Sequence, residues 1–212
     1  MTKSRALLIQ QAYRDATGVY PVIMSWLYPR NLEYCRRHEI EYMAVYGNAV
    51  EEWPPIYGAW AKVALILNAL EAGYKHVIWL DLDTLIVDLD ADLRDGCPAE
   101  GLGMTTHQPD GMPVLNCGAL YVTNSEDTKK LFREWISWYP GPINGWHEQA
   151  MINLLGQVPI CAPLIVSIDD KWNSTRAANN RVEHPVVEGF HGEGAAERRF
   201  QLMKEFLNAQ HP

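Results

Sequence analysis

Residues Val77-Ile78-Trp79-Leu80 are apolar without a break, and the next polar side chains are Asp81 and Asp83. A strand with no polar alternation has no face to show to water, so it belongs inside a sheet covered on both sides. Such a sheet needs helices between its strands, and the sequence supplies them. Residues 6–10 read as an opening strand, and residues 30–38 as a short helix leading into a second strand at 41–46. Residues 59–72 place Trp60, Val63, Leu67 and Leu70 at helical spacing, with Gly73 as the stop. Further strands are expected at 101–106, 115–123, 164–168 and 186–190. Helices are expected at 128–138, 148–155 and 195–208, the first after the capping run Asn124-Ser125-Glu126-Asp127. The alternation predicts an α/β fold with a mostly parallel central sheet flanked by helices, one domain over residues 1–212. Ligands of such sheets sit beyond the carboxyl ends of the strands.

The charge balance narrows the partners. Eighteen Lys and Arg against 26 Asp and Glu leave a formal charge of −8, and the basic pairs, Arg198/Arg199 among them, are isolated. Nucleic acid is therefore not an expected partner, because phosphate tracking needs a basic stripe. No apolar run approaches the roughly 20 residues of a membrane helix, and the first residues lack the features of a cleaved signal. Cys35, Cys97, Cys117 and Cys161 form no paired framework. Together these predict a cytoplasmic protein, bacterial or in the host cytoplasm of a large virus, or else a catalytic domain cut from a longer chain. The Asn173-Ser174-Thr175 sequon is read as chance.

Strand alternation would put Asp81 and Asp83 on one side of the backbone, at the sheet edge where ligands bind. Two carboxylates so close repel unless a cation lies between them, and hard oxygen donors suit Mg²⁺ or Mn²⁺. The pattern recurs at Asp88/Asp90 and Asp90/Asp92, in what reads as a solvated turn. Placement at the end of a buried strand singles out the first pair. One chemistry with such a pair is that of haloacid-dehalogenase-type phosphohydrolases, whose motif continues to a Thr or Val two residues after the second Asp. Here Leu85 holds that place, some 80 residues precede the motif, and only Asp169-Asp170 could mimic the second acidic pair.

The other is glycosyl transfer, and here five pieces occur in order. Lys62 lies on a helix, and Trp79-Leu80-Asp81-Leu82-Asp83-Thr84-Leu85 follows. Leu115-Asn116-Cys117-Gly118 opens a strand, Glu148-Gln149 begins a short helix, and Phe190-His191-Gly192 ends the last strand. In this layout the chain resembles the GT-A nucleotide-sugar glycosyltransferases, in particular the glycogenin-like and the galactosyl/mannosyl/xylosyltransferase families. The family's Lys-Pro-Trp tail after the His is absent, with Glu193-Gly194 in its place.

The resemblance implies a single Rossmann-like GT-A domain that moves a hexose from a nucleoside diphosphate sugar, UDP-glucose or a relative, to a hydroxyl of a glycan or glycoprotein. It implies Mn²⁺ or Mg²⁺ held by Asp81, Asp83 and His191, with Asp81 also able to reach the ribose. Gln10 to Tyr13 would hold base and ribose, Lys62 the diphosphate or the donor carboxylates, and Asn116 the sugar hydroxyls. The glycines around His191, Gly192 among them, would admit close backbone approach to the donor. Glu148 or Asp169, with Asp170 beside it, would act at the reacting centre. A non-catalytic module that binds sugar nucleotide is the remaining reading.

Overall fold

The computed structural model describes residues 5–13, 17–47, 59–108, 111–139, 147–175 and 180–210. Trp53-Pro54-Pro55, a stretch whose sequence favours a turn, and Trp146 lie outside them. A six-stranded sheet is built in the order β2-β1-β3-β8-β5-β9, from β1 (Ala6–Ala12), β2 (Glu41–Tyr46), β3 (His76–Leu80), β5 (Gly101–Met104), β8 (Ala119–Thr123) and β9 (Ile165–Ser167). β1 runs parallel to β2 and β3, and β5 parallel to β9, whereas β8 is antiparallel to both β3 and β5. The antiparallel strand matters for function. It carries the Asn116-Cys117-Gly118 turn to the carboxyl end of β3, where the Asp81 amide donates to the Gly118 carbonyl at 2.8 Å.

Successive residues of the central strands serve opposite layers, as the unbroken apolar runs require. Leu7, Ile9, Val77 and Trp79 pack beneath α2 (Ala61–Glu71), α3 (Glu126–Ser137) and α4 (His147–Leu155). Ala6, Leu8, Ile78 and Leu80 face Tyr34 and Cys35 of α1 (Val19–His38) on the other side. Each of the buried Leu, Ile and Val side chains stabilises by about 1.5–3 kcal/mol. α3 starts at Glu126, two residues ahead of the expected 128, because Ser125 of the capping run is the cap, its hydroxyl accepting from the Thr128 amide at 3.0 Å.

Three elements differ most from expectation. α1 begins at Val19 rather than near residue 30, and it contains Pro29. Pro21 sits in its first turn, where amide hydrogens have no helical acceptor anyway. Pro29 removes one interior bond, a loss that the burial of Ile23, Met24 and Leu27 outweighs. The strands expected at 101–106 and 115–123 are each broken, with β6 (Thr106–His107) and β7 (Val114–Leu115) forming a separate antiparallel hairpin.

A smaller three-stranded sheet completes the site. In it β11 (Val187–Gly189) pairs antiparallel with β4 (Thr84–Ile86) and parallel with β10 (Ser174–Thr175). The terminal helix α5 (Ala196–Gln210) packs through Phe200 on Trp26 and Phe206 on Phe190. Asn173, Ser174 and Thr175 are 0%, 0% and 1% exposed, so the sequon is closed to modification in the folded chain. All four cysteines are free thiols. No described helix is long and apolar enough to cross a membrane.

Candidate active site

β3 stops at Leu80, and residues 81–83 form a turn closed by the Thr84 amide and hydroxyl, which both donate to the Asp81 carbonyl. The turn, not strand alternation, therefore aims Asp81 and Asp83 together into one cavity of about 130 Å³. Gln11, Tyr13, Lys62, Glu148 and Arg199 share its wall. The cavity lies beyond the carboxyl ends of β1 and β3, as the fold rule requires.

Its floor is a buried charge cluster. The Lys62 ammonium, 3% exposed, donates to Asp81 Oδ1, to Glu148 Oε1 and to the Cys117 carbonyl, each at 3.1 Å. Burial opposes the charge on Lys62, but Asp81 and Glu148 outweigh it and hold the ammonium protonated. The Trp79 indole donates to Asp81 Oδ1 at 2.7 Å. Burial still leaves the Asp81 carboxyl above its ordinary range, against the pull of Lys62. Gln149, beside Glu148, accepts at Oε1 from the Cys117 amide at 3.0 Å.

Asp83 and His191 meet because β4 pairs with β11. Gly189 lies opposite Thr84, and the Phe190 amide donates to the Asp83 carbonyl at 2.8 Å. His191 Nδ1 then faces Asp83 Oδ1 at 3.8 Å, and this buried nitrogen has no hydrogen-bond partner among the described residues. Its other nitrogen, Nε2, is fixed 2.9 Å from the Thr175 hydroxyl. The second oxygen of Asp83 is held by Arg199 of α5. Although burial opposes it, His191 and Arg199 keep the Asp83 carboxyl well below the ordinary carboxylate range.

The imidazole sits in a cradle made by two glycines from different motifs. A Cβ on Gly118 would come within 2.7 Å of His191 Cε1, and one on Gly189 within 2.4 Å of the same atom. Neither glycine has a positive φ, so space for the ring, not backbone freedom, is what the missing side chains provide. Gly192 is different. At φ +84° it turns the chain immediately after His191.

These observations test the fit of a divalent cation. A ring nitrogen with no partner, oriented by a hydroxyl on its far side and facing a carboxylate oxygen, is a suitable pair of protein donors. Among the described residues no group of three or more His, Cys, Asp or Glu side chains gathers as a metal site. Asp83 and His191 are thus a facing pair of donors among the described residues, and Mg²⁺ or Mn²⁺ held there would complete its shell with water and phosphate oxygens. Asp81, expected beside them, has its oxygens engaged by Lys62 and Trp79.

The other expected residues divide. Tyr13 lines the cavity and packs on Tyr20 with ring centroids 4.6 Å apart. Gln10 turns the opposite way, its Oε1 accepting from Asn31 at 2.7 Å and Tyr42 at 2.8 Å, so Gln11 is the glutamine that faces the cavity. Asn116 lies beside Gly118, and its Oδ1 is committed to the Gly118 amide and to Asn173. Asp169 is not brought to the cavity. It is exposed and caps the turn Asp170–Trp172, accepting from the Lys171 amide at 2.9 Å. Asp170 lies within that same turn. Arg199 and Tyr20 line the cavity although sequence reasoning missed them; an isolated basic pair on a terminal helix carries no local signal.

Against known structures, the chain aligns along nearly its whole length with a glycosyltransferase involved in glycosylation of the major capsid of PBCV-1. The TM-score is 0.71 at 15% identity, covering 95% of this chain and 99% of that one. The chain has the GT-A glycosyltransferase fold. Mouse xyloside xylosyltransferase 1 superposes with a TM-score of 0.55 at 10% identity, over 90% of this chain and 99% of that one. The glycosyltransferase GlyE of Streptococcus pneumoniae gives 0.51 at 11% identity, over 80% and 46%. Residues 15–97, which include Lys62 and the Asp81/Asp83 pair, match the galactosyl transferase GMA12/MNN10 family profile. No curated protein sequence matches the chain. The fold likeness is to glycosyltransferases, which speaks against the phosphohydrolase reading.

Proposed function

We propose that this protein is a metal-dependent glycosyltransferase that takes a hexose from a nucleoside diphosphate sugar, UDP-glucose or a related donor, to a hydroxyl of a glycan or glycoprotein. The observation that carries the reading is the facing pair Asp83 Oδ1 and His191 Nδ1, in the same cavity as the Lys62–Asp81–Glu148 cluster. Among the described residues three carboxylates and two cations line that cavity, one negative charge in excess. A diphosphate adds at least two more, so its entry favours a cation bound at Asp83 and His191. Bound there, Mn²⁺ or Mg²⁺ would stabilise the charge that grows on the departing diphosphate.

The remaining work falls to the chain's own groups. Lys62 ties Asp81 and Glu148 into one rigid unit, so that neither carboxylate needs to reorganise during transfer. Asp81 is one-third exposed at its side chain and can accept from a ribose hydroxyl on its open side. Tyr13 and Tyr20 offer rings for the base. Glu148 presents a fixed negative charge towards the cavity, which suits a positive, oxocarbenium-like anomeric carbon.

The test is a donor-hydrolysis panel of UDP-, GDP- and dTDP-sugars in Mn²⁺ and in chelator. One nucleotide class should be cleaved with Mn²⁺ and spared in chelator. Binding and cleavage undiminished by chelator would refute the metal dependence, and no binding of any donor would refute the reading as a whole.

A further inference from the structure

Arg199 reaches the cavity from α5, whose position is set by the aromatic contacts of Phe200 and Phe206 rather than by the arginine itself. Its Nη1 rests on Asp83 Oδ2, and its Nη2 donates to the Tyr20 hydroxyl at 3.2 Å. Its Nε is buried and has no partner among the described residues. The guanidinium is thus a permanent cation on a flexible stem with donor capacity unused, bordering the space that the proposed donor must enter. It also sits on the carboxylate that the proposed cation needs. Two cations cannot both sit tightly against Asp83 without repelling each other, whereas a diphosphate placed between them would attract both.

We propose that Arg199 is a tethered counter-ion. In the free protein it neutralises Asp83, and when a divalent cation and donor arrive it passes from that carboxylate to the diphosphate. This rests on the glycosyltransferase reading and goes beyond it, because it assigns one residue opposite effects on two ligands. Arg199 should weaken the binding of metal alone and strengthen the binding of a nucleoside diphosphate with metal. Guanidinium contacts to phosphate are charge-assisted and frequently bidentate, so a diphosphate can replace the contact that Arg199 gives up at Asp83.

The experiment uses the whole chain and the variants Arg199→Gln and Arg199→Lys, with circular dichroism to confirm folding. Calorimetry measures Mn²⁺ alone, then UDP, GDP and dTDP in saturating Mn²⁺. For Arg199→Gln, Mn²⁺ alone should bind about tenfold more tightly, and the preferred diphosphate about tenfold or more weakly. Arg199→Lys, which keeps the charge but loses the planar fork, should move both affinities a few-fold in the same opposed directions, and it carries the test if the Gln variant does not fold. Both affinities falling together, or neither changing, would overturn the proposal. The wild-type arm tests the underlying reading separately: if unaltered protein binds Mn²⁺ but no diphosphate, the glycosyltransferase function fails, whatever the variants do.

Discussion

Replacing Lys62 by Met removes one charge and keeps nearly the whole hydrocarbon stem, so it isolates the ammonium at the floor of the site. The ammonium is 3.1 Å from both Asp81 and Glu148, and their side chains differ in access to water, at 34% and 7% exposure. Asp81 can recover part of its lost partner by hydration and from Trp79. Glu148 cannot, and it becomes a buried carboxylate beside a second one. Breaking a buried pair by removing one partner costs about 3–5 kcal/mol, and the partial exposure of Asp81 puts this case near the lower end, about 3 kcal/mol. Urea denaturation followed by circular dichroism reads the change as a lower midpoint at constant slope. Adding Glu148→Gln to Lys62→Met removes the stranded charge, so the double variant should be more stable than Lys62→Met alone, with an interaction energy on the order of 2 kcal/mol. A loss below about 1 kcal/mol for Lys62→Met, or strict additivity in the double variant, would show that the cluster is not the buried ionic unit described here.

Gly189→Ala should displace the His191 ring, because the added Cβ would lie 2.4 Å from Cε1, and should lower Mn²⁺ affinity about 10–100-fold; unchanged Mn²⁺ titration would mean that the ring is not seated there. Asp83→Asn should abolish most donor turnover, while Asp90→Asn, at a carboxylate 80% exposed and paired with Arg37, should leave turnover intact and cost at most about 1 kcal/mol. Equal losses of turnover in the two folded variants would place the metal on the wrong pair. His107 is buried, stacked on His191, and pushed down to about 4 by burial and by that neighbour. Between about pH 6.5 and 4 the unfolded chain therefore binds more protons at this site than the folded one, so stability falls as pH is lowered through that window, by on the order of 3 kcal/mol. His107→Gln should flatten that fall in denaturation curves, and identical pH slopes would contradict the assignment.

Local sequence carried much of this protein. The unbroken apolar run of β3, its acidic end, the lysine-bearing helix and the capped start of α3 are properties of a few neighbouring residues, and periodicity with capping chemistry reveals them directly. The order of the motifs was legible for the same reason. Phase and long-range pairing were not. Alternation requires Gln10 and Gln11 to face opposite ways, yet only the packing of α1, which supplies Asn31 to Gln10, decides which of them faces the cavity. The pairing of β4 with β11 brings His191 to Asp83, and the antiparallel insertion of β8 brings Gly118 beneath the same imidazole. Two glycines 71 positions apart thereby serve one ring. Arg199 lies 116 residues beyond Asp83 and meets it only because aromatic packing docks α5 across the site. A contact of that span leaves no trace in local composition, since its energy exists only once the intervening chain has folded.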